Sequence, residues 1–279
     1  MTTPLIEAIR NQAVHIVLPK GDEGETISLD AIATIAREHA IPGYIVEAEA
    51  LRNDVYPTRY LRNMDGITKN DQIRLLESSI AQVGLGGLGG SLLEIFIRTG
   101  IGRIRTADDD DFEETNLNRQ ALSTLGNIDC PKSEAALERG SLVNSSMKIE
   151  AWNQYLKQPN FQDFLTGCDV VVDALGGLET RLAVQQAAAK ANIPLVTGAL
   201  AGWTGYVGVV MPGQSGPADI MGHDNAVEEI LGCPAAAVTF IASVMATETI
   251  KILTGNHSTL AGNMFVIDLK SLTFDTVSI

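Results

Sequence analysis

Short apolar strands alternating with helical stretches fill the chain from about residue 71 onward, and the pattern before that point is different. In the first part, the apolar run Val14 to Leu18 predicts a strand, followed by a polar turn from Pro19 to Glu25. Ser28 stands where a helix N-cap belongs, and Leu29, Ile32, Ile35 and Ala36 then recur at helical spacing. Ile41-Pro42-Gly43 breaks that helix, and Ile45, Ala48 and Leu51 mark one face of a second over Tyr44 to Arg52. This helix–turn–helix outline is not basic, which argues against DNA and for a small packing or substrate-guiding annex over residues 1–58.

Residues 59–279 read as an α/β domain. Gln72 to Glu77 is helical, Ser79 to Val83 a short apolar strand, Ser91 to Thr99 a helix and Gly102 to Ala107 the next strand. Then come a helix over Lys132 to Asn144, a strand over Met147 to Tyr155 and a helical turn at Asp163 to Leu165. Val170 to Leu175 is a buried strand, Glu179 to Ala191 a helix and Pro194 to Ala199 a strand. Gly205 to Met211 alternates like an antiparallel strand, and Pro212 to Asp224, rich in Gly and Pro, reads as a loop. A long apolar helix, Ala235 to Leu253, and a hairpin over Met264 to Leu269 and Leu272 to Ser278 close the chain. The expected fold is a Rossmann-like, mostly parallel sheet with antiparallel C-terminal strands, plus a small α/β or helical N-terminal annex.

Composition narrows the function. Aromatics are 5% of the 279 residues while glycines number 26, which suits an aliphatic sheet with tight turns. The formal charge of −14 disfavours nucleic acid and anionic membranes as general partners. Cys130, Cys168 and Cys233 form no CxxC pair, so neither a disulfide framework nor a four-cysteine zinc site is expected. Met1 to Arg10 lacks the apolar run of a signal peptide, and no uninterrupted run of 18 apolar residues exists, so a cytoplasmic setting is expected.

The chemistry starts at Gly84-Leu85-Gly86-Gly87-Leu88-Gly89, between a strand and a helix. In such a turn the first glycine allows the bend, the second lets a phosphate approach the backbone and the third permits helix–strand packing. The helix N-terminus then favours an anion. Asp108 ends the second strand, where an acid meets ribose hydroxyls in a Rossmann-like fold. Up to this point NAD, in an oxidoreductase, fits as well as ATP.

The stretch Asp108-Asp109-Asp110-Asp111-Phe112-Glu113-Glu114-Thr115-Asn116-Leu117-Asn118-Arg119-Gln120 resembles the D-x-D-x-V-E-x-S-N-L-x-R-Q of the ThiF/MoeB/HesA family. Arg59-Tyr60-Leu61-Arg62-Asn63 resembles that family's R-Y-x-R-Q, Pro131-Lys132 its P-K, and Glu248 to Leu253 its E-A-I-K-x-L helix. The resemblance implies an ATP- and Mg²⁺-dependent adenylyltransferase acting on a carboxylate. The substrate would be the C-terminal glycine of a ubiquitin-like sulfur-carrier protein or a small carboxylate. It implies that Asp108 binds ribose, that Asn116, Arg119 and Lys132 contact the triphosphate, and that Arg62 reaches into the other subunit of a homodimer. Gly84, Gly86, Gly87, Gly89, Asp110, Gln120 and Asp173 complete the expected nucleotide site, with Asp110 a candidate Mg²⁺ ligand. Cys233, in Gly232-Cys233-Pro234, is the candidate nucleophile for a later step, and His223-Asp224 a candidate substrate contact.

The match breaks at one place. Where the family carries D-x-x-D-N, the chain reads Asp173-Ala174-Leu175-Gly176-Gly177, and the second acid is missing. Asp110 or Glu179 could take over, phosphates and water could hold the metal, or the protein could bind ATP without reacting as a non-catalytic partner. Gly176 and Gly198 could also leave room for a flexible Gly-Gly tail.

Overall fold

The computed structural model describes residues 3–63, 65–176, 178–220 and 230–279, so His223, Asp224 and Gly177 lie outside the described residues. The N-terminal unit comprises α1 (Pro4–Gln12), β1 (Val14–Val17), β2 (Glu23–Ile27), α2 (Leu29–Glu38), α3 (Gly43–Arg52) and β3 (Val55–Pro57). β1 pairs antiparallel with β2, and β3 lies parallel on its other edge. Ile9, Ile27, Ile32, Ile35, Val46 and Val55 fill the small core. Ser28 caps α2 by accepting from the Ala31 N–H at 3.2 Å. The turn expected over Pro19 to Glu25 is shorter than the sequence suggests, because β2 begins at Glu23. Only Ile27 of that strand is fully buried, so main-chain pairing on both edges, and not apolar alternation, makes it a strand. α1 likewise escapes periodicity: Thr3 caps it, Pro4 opens it, and only Ile9 is buried.

The main unit runs α4 (Lys69–Glu77), β4 (Ser79–Val83), α5 (Gly87–Thr99), β5 (Arg103–Ala107), α6 (Lys132–Val143), β6 (Lys148–Trp152), α7 (Gln158–Leu165), β7 (Val170–Asp173) and α8 (Leu178–Ala191). It continues through β8 (Leu195–Ala201), β9 (Thr204–Val210), α9 (Pro217–Ile220), α10 (Ala235–Thr254), β10 (Asn263–Asp268) and β11 (Thr273–Ser278). The sheet order is β11-β10-β9-β8-β7-β4-β5-β6. The strands from β8 to β6 are parallel, and β9, β10 and β11 add on antiparallel. This is the mostly parallel sheet with an antiparallel C-terminal end that the sequence calls for.

Side-chain alternation divides the strands between two layers. Ile80 and Val172 join Leu92 and Phe96 of α5 and Ile241 and Met245 of α10 on one face. Ala81 and Val171 join Phe161 and Phe164 of α7 and Val184 of α8 on the other. α10 matches a membrane span in length and composition, with mean hydropathy 1.5, yet packs on α5, β8 and β9 as a core helix. The chain winds from β4 to β5 and β6, then returns on the other side as β7 and β8. That reversal opens a crevice beyond the C-terminal ends of β4 and β7, where open α/β sheets bind ligands. The two units meet where α3 packs on α4, around Leu51, Tyr60 and Leu76.

Candidate active site

β4 is buried along its whole length, including Gln82. The Gln82 side-chain amide donates to Gly84 O at 3.0 Å and to Gly89 O at 2.9 Å, tying the ends of the glycine bend together. Gly84 has φ +97°, and a Cβ there would stand 2.8 Å from Ala174 O. A Cβ on Gly89 would fall 2.0 Å from Gly84 O, so the first turn of α5 lies against the bend only because no side chain intervenes. This contact explains why α5 starts at Gly87 and not at Ser91: close packing overrides the poor helix propensity of the glycines. We expect Gly84→Ala to cost about 1–3 kcal/mol in urea unfolding. A wild-type stability would remove the strained bend from the account.

A cleft of about 420 Å³ opens over this bend, lined by Gly84, Gly86 and Gly87. Asp108, just beyond β5, accepts from Leu85 N–H at 2.6 Å and Asp110 N–H at 3.0 Å. Burial pushes its carboxyl above the ordinary aspartate value, opposed by the nearby Lys132 charge and these two N–H groups. Lys132, the first residue of α6, is only 5% exposed and places Nζ 2.8 Å from Asp110 Oδ2. Arg119 also lines the cleft. Its Nη1 donates to Thr115 O and Asn118 Oδ1, each at 3.0 Å. Gln120 completes this wall, and its buried Oε1 has no partner among the described residues.

Other expected site residues sit differently. Asn116 is buried in the short 3₁₀ turn Glu114–Asn116, not on the cleft wall, and its Oδ1 accepts from Glu113 N–H at 3.2 Å. Its carbonyl accepts from Arg119 N–H at 3.1 Å and Gln120 N–H at 2.9 Å, so it holds the turn that carries both. Asp173 lies behind the wall, 1% exposed, where it accepts from Arg181 Nη1 at 3.1 Å and Thr197 Oγ1 at 2.8 Å. Gly176 lines the cleft and brings no ligand. Cys233 reaches the same cleft, whereas burial in the core pushes the Cys168 thiol up. Arg62 is exposed and does not line the cleft of its own chain.

Three contributors were not evident from the sequence. Gln82 looks like a polar interruption in a strand. Arg181 is a buried cation on the cleft wall that also donates to Gly198 O at 3.0 Å. Tyr155, beyond β6, lines the cleft with Gln154 and Leu156 and hydrogen-bonds Thr180. The rule that ligands sit beyond strand C-termini points to the β6 loop once the strand order is known.

Comparison with known proteins agrees with this geometry. The model of the ThiF family matches residues 60–279. The Sulfur carrier protein ThiS adenylyltransferase of Escherichia coli (strain K12) is 33% identical over 226 residues, covering 78% of this chain and 90% of that protein. The SAMP-activating enzyme E1 of Haloferax volcanii is 30% identical over 229 residues, covering 78% and 84%. Among solved structures, PaaA aligns with a TM-score of 0.67 at 18% identity, over 96% of this chain and 99% of that one. Escherichia coli MccB with AMPCPP and MccA gives a TM-score of 0.71 at 18% identity, over 90% and 79%, a likeness of fold. The chain belongs to the ThiF family.

Proposed function

We propose that the protein is an adenylyltransferase that uses ATP to activate the C-terminal carboxylate of a ubiquitin-like sulfur carrier. The observation that carries this reading is the gathering of Arg119 and Lys132 over the glycine bend, with Asp108 at the end of β5. Asp108 accepts hydrogen bonds from the ribose hydroxyls. The triphosphate follows the bend toward the N-terminus of α5, whose free N–H groups and dipole favour it. Gln120 Oε1 offers a further acceptor on the same wall.

A carboxylate oxygen of the substrate attacks the α-phosphorus. A bond forms between them, the bond from that phosphorus to the bridging oxygen breaks, and pyrophosphate leaves with the electron pair. Two anions meet in this step, so cations fixed where charge develops lower the barrier. Lys132 is such a group, held in place by burial, and Arg119 supplies a planar fork. Asp108, Asp109 and Asp110 bring carboxylate oxygens within 4.8 Å of one another, a hard donor set of the kind Mg²⁺ takes. Asp110 is the residue that would hold the ion, with phosphate oxygens and water completing the shell in place of an acid at Gly176. The ion would neutralise phosphate charge.

Arg62 acts in a second copy of the chain. Its neighbours Tyr60 and Asn63 are tied to the C-terminal end of α5, while the phosphates lie at the other end. The thirteen residues of α5 put about 20 Å between those ends, beyond the reach of one side chain. A homodimer that exchanges Arg62 meets that geometry. Cys233, on the cleft wall, is the candidate for a later acyl or sulfur transfer.

The test is ATP–pyrophosphate exchange with the ThiS carrier of Escherichia coli and synthetic peptides ending in Gly-Gly as probes. We expect carrier-dependent exchange that EDTA abolishes. Gly176 favours one rival, a non-catalytic ATP-binding partner. ATP binding without exchange on any probe would select that rival.

A further inference from the structure

We infer that Glu47, contributed by α3 of the N-terminal unit, is a positioning residue that fixes the turn from which Arg62 projects; this rests on the role proposed for Arg62. Glu47 is fully buried, an unusual place for a carboxylate. Its Oε2 accepts from the Tyr60 hydroxyl at 3.0 Å, and its Oε1 faces Arg59 Nε at 3.5 Å. Burial pushes the carboxyl up, opposed first by the Arg59 charge and then by the Ser146 and Tyr60 hydroxyls.

The same turn is gripped from the main unit. Asn144 Nδ2 approaches Tyr60 Oη at 3.4 Å and donates to Ile97 O at 3.1 Å. Gly100, just past the end of α5, makes room for the ring: a Cβ there would fall 2.3 Å from Tyr60 Oη. Beyond Arg62, Asn63 Nδ2 donates to Gln72 Oε1 at 3.3 Å, and Gln72 Nε2 to Thr99 O at 2.9 Å. The backbone closes through Asn63 N–H to Tyr60 O at 2.9 Å and Ile67 N–H to Asn63 O at 2.8 Å. Arg62 therefore stands exposed on a turn anchored on both sides.

Stability alone does not account for Glu47. A buried ion pair is commonly matched or exceeded by apolar residues of similar volume. What the carboxylate adds is direction: one oxygen accepts from Tyr60 and the other draws the Arg59 guanidinium by charge, which orients the residues leading to Arg62. The N-terminal unit thereby takes part in the site without touching nucleotide.

The test uses Glu47→Gln and, as a milder change that keeps the carboxylate, Tyr60→Phe in the full 279-residue chain. Trypsin cleavage at Arg62–Asn63, followed by mass spectrometry, should accelerate roughly tenfold or more while other sites keep their rates. With ThiS as probe, the kcat of exchange should fall roughly tenfold to a hundredfold with KM for ATP nearly unchanged. Adding Glu47→Gln to Arg62→Ala should cost nothing further, because both remove the same contribution. An unchanged cleavage rate at Arg62 in both variants, or losses that multiply in the double variant, would overturn the inference. Full activity in Arg62→Ala itself would overturn instead the role of Arg62 on which the inference rests.

Discussion

Lys132→Ala is expected to fold normally, to retain ATP and to exchange pyrophosphate about 10²–10³-fold more slowly than the parent protein. The ammonium lies at the first position of α6, where the helix dipole opposes a cation, so its placement does not serve the helix. Its ion-pair partner Asp110 is well exposed, while the more enclosed Asp108 loses an opposing charge and should titrate higher. The stability change should be about 1 kcal/mol, since Asp110 is open to water and Asp108 can take up a proton. What disappears is a buried, oriented positive charge on the cleft proposed for the reacting phosphates. Lys132→Arg should recover only part of the rate, since a planar fork does not fit where a compact charge sits. Stopped-flow ATP binding and isotope exchange separate the two quantities. Exchange within tenfold of the parent would remove Lys132 from the reaction.

Asp173→Ala is expected to destabilise the fold by about 3–5 kcal/mol. Asp173 accepts from Arg181, Thr197 Oγ1 and the Leu175 N–H at 3.1 Å, and both charged side chains are almost wholly enclosed. Removing the acid takes a charged acceptor from an enclosed guanidinium, which keeps its bonds to Thr197 Oγ1 and Gly198 O. The double variant Asp173→Ala/Arg181→Met should regain much of that loss, because it also removes the buried charge that Asp173 balances. Urea unfolding of both proteins decides the matter. A loss below about 1 kcal/mol in the single variant would mean that water reaches the pair.

The parts of the molecule legible in the sequence are those where local chemistry and tertiary demand agree. β4, α6, α10 and the final hairpin fall where periodicity places them, and Ser28 caps the helix it precedes. The glycine bend was readable because three positions carry separate steric requirements. Arg181 was not readable: its meaning lies in Asp173 and Thr197, residues of two other elements brought beside it by the sheet order. Asp173 depends on the same partner: an acid at a strand end reads as open to a ligand, and the fold places it against the buried Arg181. Asn116 shows a subtler limit. The motif names it, but only the fold separates holding the Arg119 turn from lining the cleft.

The length of α5 has a consequence for assembly. One end of this rod opens on the cleft proposed for the phosphates and the other seats the turn that bears Arg62. On the proposed role of that arginine, each chain keeps one half of a site and lends the other. Closed exchange of this kind calls for a two-fold axis, about which the mouth of each cleft faces the far end of the neighbouring rod. On that reading a head-to-tail arrangement must close into a ring or leave an unmatched half at each end, and a closed pair is the smallest assembly that completes every site.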